Sequence, residues 1–372
     1  MTGTKRETDV FVVGGGPAGL AAAIAARRKG FSVTLADGAE PPIDKPCGEG
    51  LMPETLAALH ALGVTIPAGK GYFFRGIQFV AGTARVAADF PEGQGIGIRR
   101  PILHRLLLCE AEKLGVKFLW KAPVRGIEGN ELRLTQGTLA TRWIIGADGG
   151  TSRVRRWSGL EAVARRTQRS ATRRHYRVRP WTEFTEVHWG PRTQTFVTPV
   201  SREEVCVVVM AEKAEDTEFA RALGDLPELR ERLAGGALSS RERGAVIGMC
   251  SLRRVSRGNV ALVGDASGGV DAITGEGLRL SFDQAKALAD AMQANDLGQY
   301  EDAHRRLARR PVWMGQVMLQ FGKKVWLRDR AMRAMQARPE FFARMLAIHV
   351  GRATPGHVIA AGARFSWRFL ST

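Results

Sequence analysis

Acidic residues are in short supply. The 372 residues include 37 Asp and Glu against 55 Lys and Arg, a formal net charge of +18. Cysteine is scarce as well: Cys47, Cys109, Cys206 and Cys250 lie far apart and form no CxxC pair. That spacing excludes a disulfide scaffold and a thiolate zinc site, and it fits a reducing cytoplasm. No run approaches the ~18 uninterrupted apolar residues of a spanning helix. Met1 to Val10 is polar and lacks the apolar core of a signal peptide, so a cytoplasmic location is expected. There is no HxxxH spacing, so no metal is expected, and no GxSxG elbow. Internal repeats and low-complexity linkers are also missing. Hydrophobic residues at 44% and charged residues at 25% make a globular composition. The length calls for a large domain plus a second lobe or insertion.

What the chain does have is glycine in informative places. The apolar run Asp9 to Val13 ends at Gly14-Gly15-Gly16-Pro17-Ala18-Gly19, and Leu20 to Lys29 reads as an Ala-rich helix. In this strand–turn–helix, Gly14 permits the tight turn and Gly16 leaves room for a pyrophosphate against the backbone. Gly19 lets the helix pack closely on the strand. The helix N-terminus offers free N–H groups and its positive dipole end to the phosphate. A second strand, Phe31 to Ala36, ends in Asp37, an acid able to accept hydrogen bonds from the hydroxyls of an adenosine ribose.

Nicotinamide and flavin dinucleotides share this half-motif. Two later segments separate them. Trp143 to Ile145 leads into Gly146-Ala147-Asp148-Gly149-Gly150, and Asn259 to Val263 leads into Gly264-Asp265-Ala266, followed by Thr274-Gly275-Glu276-Gly277-Leu278. With the first turn, these resemble in order the GxGxxG, DG and GD motifs of the para-hydroxybenzoate-hydroxylase-like flavoproteins, from residue 9 to about residue 290. The resemblance implies FAD held extended. Gly14, Gly16, Pro17, Ala18 and Gly19 would take its pyrophosphate, Asp37 the adenosine ribose and Asp265, after Gly264, the ribitol. Asp148 and Gly149 would sit beside the dinucleotide and brace the fold. Arg100, in Arg100-x-x-Leu103-x-x-x-Leu107, matches the family's arginine near FAD, with His104 where that helix usually carries Asp. Val124 matches the strand that reaches adenine. Gly275, Gly277 and Leu278 open a helix aimed at the pyrimidine end of the flavin, where the dipole favours the reduced anion; Ala272 stands where relatives have Pro.

Asp44-Lys45-Pro46-Cys47-Gly48-Glu49-Gly50 resembles the segment that runs beside the isoalloxazine in the branch holding geranylgeranyl reductases and related hydroxylases. Lys45, Cys47 and Gly48 would therefore lie at the flavin, and Glu49 is expected to be a solvated loop carboxylate. That branch's reductases also carry a Tyr-x-Trp-x-Phe-Pro strand; Thr195-Phe196-Val197-Thr198-Pro199 keeps only the Pro. Candidate strands Glu183–Val187, Thr193–Val200 and Glu204–Met210, with the strand-like Tyr72 to Phe90, suggest a substrate sheet. His175, Tyr176, His188 and Trp189 are expected to pack within it. Asp216 to Leu233 and Tyr300 to Thr372 read as helical. The implied fold is α/β. A Rossmann-type FAD-binding domain comes from residues 1–70, 95–170 and 252–300, with an inserted antiparallel β-sheet substrate domain from 71–94 and 171–251. C-terminal helices occupy 301–372.

No second GxGxxG unit follows, so NAD(P)H is expected to dock transiently as electron donor. The basic surplus gathers in two places. Arg153 to Arg179 holds ten arginines, Arg165 and Arg166 among them, against Glu161 alone. The section from Arg305 to Arg368 mixes arginine with apolar residues. No nucleic-acid fold is recognisable, so nucleic acid is not an expected partner. An apolar small-molecule substrate with an anionic handle, an acidic carrier protein or a peripheral membrane contact fits better. An FAD-dependent monooxygenase ranks first on these residues. A reductase of carbon–carbon double bonds in a prenyl or polyketide lipid is the alternative, and a non-catalytic flavin-binding docking module comes last. The sequence names no catalytic residue.

Overall fold

The computed structural model describes residues 8–135, 137–161 and 167–353. Arg165 and Arg166, like the Arg-rich end after residue 353, lie outside them. Strand Thr8–Val13 is the centre of the first sheet. It pairs in parallel with Gly137–Gly146 on one side and Val33–Ala36 on the other. Lys117–Leu119 and Val260–Leu262 extend the parallel order outward. The central strands are largely apolar and buried, as in residues 10–13, Val33–Ala36 and Val260–Leu262, because helices cover the sheet's faces. Helix Pro17–Arg28 begins with Pro at its first turn, and its alanines are buried against helix Gly277–Gln293. The expected strand–glycine–helix unit is therefore present, starting a turn earlier than Leu20.

The second sheet has the spatial order Ala237–Leu238, Thr167–Arg177, Glu204–Ala211, Thr193–Ser201, Phe184–Trp189, Gly76–Ala81, Ala84–Asp89, with Arg243–Met249 also on Thr167–Arg177. All its pairings are antiparallel except Phe184–Trp189 with Gly76–Ala81, which is parallel. That departs from the all-antiparallel expectation. The two strands are joined by a long excursion through the first sheet, so no hairpin constrains their direction. Strand Glu204–Ala211 is buried on both faces. Val205, Val207 and Val209 pack on helices Phe219–Gly224 and Pro227–Leu233, while Cys206, Val208 and Met210 face the other way. A small third sheet, in the order Gly50–Leu51, Gly95–Gly97, Tyr72–Phe74, packs against strand Thr193–Ser201 of the second.

Helices Leu297–Lys323, Val325–Ala337 and Pro339–His349 close the structure. The apolar stripe expected from Trp313 to Val325 divides: Met314 and Met318 are buried, whereas Trp313 and Val325 are exposed and Lys324 breaks the helix between them. Five methionines, Met52, Met314, Met318, Met332 and Met335, join Phe79, Val187, Trp189 and Phe342 in the core between the second sheet and these helices. None of the described helices is long and apolar enough to cross a membrane.

The His304 imidazole, hydrogen-bonded to Ser267 Oγ at 2.9 Å, is pushed by burial from 6.5 down to about 4. The unfolded chain then binds a proton that the native chain does not, so stability is full above pH 6.5 and declines as pH falls toward 4. His304→Gln should flatten that decline by up to about 3 kcal/mol in urea titrations across this window. An unchanged pH slope would contradict it.

Candidate active site

One cavity of about 580 Å³ runs from the first glycine turn to the inner face of the second sheet. Sixteen of the eighteen residues expected to hold cofactor line it: Gly14, Gly16, Pro17, Ala18, Asp37, Lys45, Cys47, Gly48, Arg100, Val124, Asp148, Gly149, Asp265, Gly275, Gly277 and Leu278. Gly19 and Gly264 do not, and both are packing positions. A Cβ on Gly19 would stand 1.8 Å from the Gly14 carbonyl oxygen, and one on Gly264 2.7 Å from the Ala18 methyl. Gly14 has φ +112° and its Cβ would meet the Ala147 carbonyl oxygen at 2.4 Å, so any larger residue blocks the turn. Gly16 has open space where its Cβ would be, the clearance a pyrophosphate needs.

The carboxylates are not equivalent. Asp148 is committed to its own chain: its oxygens accept from Ser152 Oγ and from the backbone N–H of Arg153 at 2.7 Å and Val154 at 3.2 Å, capping helix Arg153–Trp157. Asp37 accepts from Gly15 N at 2.6 Å and Ala39 N at 2.8 Å, which ties the second strand's end to the glycine turn. The Asp265 side chain opens on the cavity with no hydrogen-bond partner among the described residues. Arg100 also lines the cavity, and its buried Nε has no partner. An orphaned guanidinium, a free carboxylate and a glycine cradle along one trough fit the phosphates and polyol of FAD. His104, fully buried, hydrogen-bonds the Gly15 carbonyl at 2.9 Å through Nε2 and so supports the turn itself. Burial holds it below the ordinary histidine range.

Glu49 departs from expectation. It is only 2% exposed, not solvated, and sits at φ +59°. Its Oε1 accepts from Arg100 N at 2.9 Å and Arg173 at 3.2 Å, and its Oε2 lies 2.7 Å from His175 Nε2. Arg173 also grips Asp44 with both terminal nitrogens, at 3.0 and 2.8 Å, and reaches the Lys45 carbonyl at 3.2 Å. Burial pushes the Asp44 carboxyl up, but Arg173 and Arg243 outweigh it and hold it below the usual range. His175 Nδ1 meets Ser240 Oγ at 2.6 Å. The loop Asp44–Gly50 is thus clamped to the substrate sheet from beneath, with Lys45, Cys47 and Gly48 presented to the cavity. Glu49, His175 and Cys206 bring ligand-type atoms within 4.8 Å of one another. Burial pushes the Cys206 thiol well up, away from the thiolate a metal needs, and Arg173 already occupies Glu49.

The arginine block is partly internal. Arg155 donates to the Ala266 and Gly150 carbonyls, Arg169 pairs with Asp271 at 3.1 Å, and Arg173 is 1% exposed. Arg153, Arg156, Arg177 and Arg179 stay exposed. Tyr176, His188 and Trp189 pack as expected, on Phe219, Glu186 and Phe79 respectively. The signal for the buried arginines was strand periodicity: Arg169, Ala171, Arg173 and His175 alternate onto one face.

Removing one partner of a buried charge cluster leaves the others uncompensated. Glu49→Ala should therefore cost roughly 3–5 kcal/mol in denaturant unfolding, whereas Glu40→Ala, in an exposed pair with Lys121, should cost under about 1 kcal/mol. Equal effects would show that the Glu49 cluster is not a brace.

The family model described as an FAD binding domain matches residues 7–304. The menaquinone reductase of Mycobacterium tuberculosis is 29% identical over 323 residues, 78% of this chain and 77% of its own. A digeranylgeranylglycerophospholipid reductase of Methanococcoides burtonii is 24% identical over 321 residues, 79% of this chain and 78% of its own. The fold matches the crystal structure of a flavoprotein/dehydrogenase from Cytophaga hutchinsonii with a TM-score of 0.80 at 19% identity, covering 92% of this chain and 93% of that one. With its three motifs converging on one trough, the chain belongs to the FAD binding domain family and is an FAD-dependent oxidoreductase of the para-hydroxybenzoate-hydroxylase-like superfamily.

Proposed function

We propose that this protein is a reductase that saturates an isolated carbon–carbon double bond in an apolar, isoprenoid-like chain. The observation that carries the reading is the far end of the cavity. Phe74, Ile77, Val187, Phe196, Val208, Met210, Ile247 and Ile273 line it, with Thr185 and Thr198 as its polar side chains. The ionisable lining groups all belong to the dinucleotide segments or to the loop Asp44–Gly50. Hydroxylating a phenol calls for a base to activate the ring; among the described residues the far end of the cavity carries none, which supports ranking the reductase ahead of the monooxygenase. Two curated relatives that span most of the chain support the same choice: each is named as a reductase, of menaquinone and of a digeranylgeranyl phospholipid, and both molecules carry isoprenoid chains.

Bound FAD would supply the hydride, after reduction by a transiently docked NAD(P)H, and the balancing proton would come from the loop Asp44–Gly50, whose Cys47 and Glu49 line the cavity. The chain's own residues hold and shape. Arg100, Gly16 and the N-terminus of helix Pro17–Arg28 take the phosphates, Asp37 the ribose, and Asp265 the ribitol hydroxyls. Gly275, at φ +66°, brings the backbone up to the cavity ahead of helix Gly277–Gln293, whose dipole favours negative charge there. The apolar wall excludes water, and Thr185 and Thr198, 3.2 Å apart, orient the chain.

Two measurements test this. Under anaerobic conditions, reduced protein should convert a short-chain menaquinone or geranylgeranyl lipid to a product two hydrogens heavier. A product gaining one oxygen atom, formed only when O2 is present, overturns the reductase reading in favour of hydroxylation. Arg100→Ala should raise the FAD Kd by about 10- to 100-fold in flavin-fluorescence titrations, the loss of charge-assisted hydrogen bonds. An unchanged Kd would remove Arg100 from the site.

A further inference from the structure

The long helix Leu297–Lys323 turns one face outward. At about 100° per residue, Arg305, Arg309, Val312, Trp313, Gln316 and Lys323 fall within about 100° of arc, and all six are exposed. Val312 and Trp313 are each 43% exposed. The stripe ends at a corner where Lys324 interrupts the helix, and there Val325 is 44% and Trp326 63% exposed. Four of the seven exposed large hydrophobic residues among the described ones therefore lie on this one stretch. Basic residues surround them. Arg306, Arg309 and Lys324 have no acidic partner within 4 Å among the described residues, while Arg305 and Lys323 make only exposed pairs, with Asp302 and Glu212. Indole and branched aliphatic side chains amid unpaired cations match the boundary of an anionic bilayer: headgroups take the charges and the interface takes the tryptophans.

The same face walls a second cavity of about 420 Å³, formed with Leu252, Leu280 and the turn Gly264–Val270. Asp265, Val270 and Gly277 line both this cavity and the flavin cavity. A bilayer against this helix would sit one layer of chain from the site.

We infer that this helix face and its Lys323–Trp326 corner form a docking surface for anionic membrane lipid, and that the groove behind it admits a membrane-borne substrate. The docking part is independent of the proposed reaction. The entry part rests on that reading. A polyanion in solution would meet the same cations but would gain nothing from the exposed Val and Trp side chains, so the two kinds of variant separate the partners.

The experiment is co-sedimentation of the purified, FAD-loaded chain with vesicles, without substrate, at physiological salt. Vesicles with about 30 mol% phosphatidylglycerol should bind it at least about tenfold more tightly than pure phosphatidylcholine. Val325→Ser with Trp326→Ser, and separately Arg309→Glu with Lys324→Glu, should each weaken binding about tenfold or more. Flavin absorbance and melting temperature should stay as in the parent, since all four side chains are exposed. Tryptophan fluorescence should shift to shorter wavelength on binding and lose most of that shift in the Trp326 variant. Three results would overturn the inference: parent protein left in the supernatant, serine variants that bind as the parent does, or a single-stranded oligonucleotide that competes equally against both variant pairs. Membrane binding with no turnover of any lipid would leave the docking surface standing and count against the reaction.

Discussion

A carboxylate removed from water must be re-solvated by the protein around it, and Glu49 shows what that demand organises. Its oxygens, carried on the loop Asp44–Gly50, are met from two directions: the start of helix Arg100–Lys113 and strand Thr167–Arg177 of the substrate sheet. None of these pieces is adjacent to another in sequence. Hydrophobic contact alone would let the two sheets slide over one another, because apolar burial has no preferred direction. Charge-assisted hydrogen bonds do have one. The cluster therefore sets the angle at which the apolar wall meets the dinucleotide trough, and with it where a substrate lies relative to the cofactor.

Much of the dinucleotide half was legible in the sequence because its chemistry is local. A turn at φ +112° demands glycine, and an acid 22 residues on, at the end of the neighbouring strand, closes that turn. The distinction between Asp148 and Asp265 was partly legible: one follows a strand and precedes a helix it can cap, and the other stands in a turn with no such duty. Glu49 was misread because its neighbours Gly48 and Gly50 look like an open loop. The residues that bury it, Arg173 and His175, lie more than a hundred positions away. The parallel pairing of Phe184–Trp189 with Gly76–Ala81 was invisible for the same reason, since register across a long excursion is set by tertiary packing.

The charge surplus has more than one meaning in three dimensions. Part of the arginine block is structural, holding carbonyls and carboxylates in the interior. Other cations, Arg306 and Arg309 on helix Leu297–Lys323 and Lys324 at the corner after it, have no acidic partner within 4 Å among the described residues, while Arg305 and Lys323 make only exposed pairs. Net charge by itself could not separate these uses. Burial and pairing do, and they redirect attention from the block most crowded in the sequence to a helix whose cations are fewer but exposed and mostly unpaired.

The five methionines between the substrate sheet and the closing helices bear on how this fold accommodates change. An unbranched thioether can follow a shifted neighbour by rotating through its own torsions, whereas a wall of Ile and Val must move as a block. The dinucleotide trough is rigid at its turn, where Gly14 and Gly19 tolerate no side chain. The backing of the substrate sheet is compliant. A longer or more branched chain in the cavity can press outward and be absorbed by methionine rotation, so the shape of the substrate is free to drift while the glycine turn stays put.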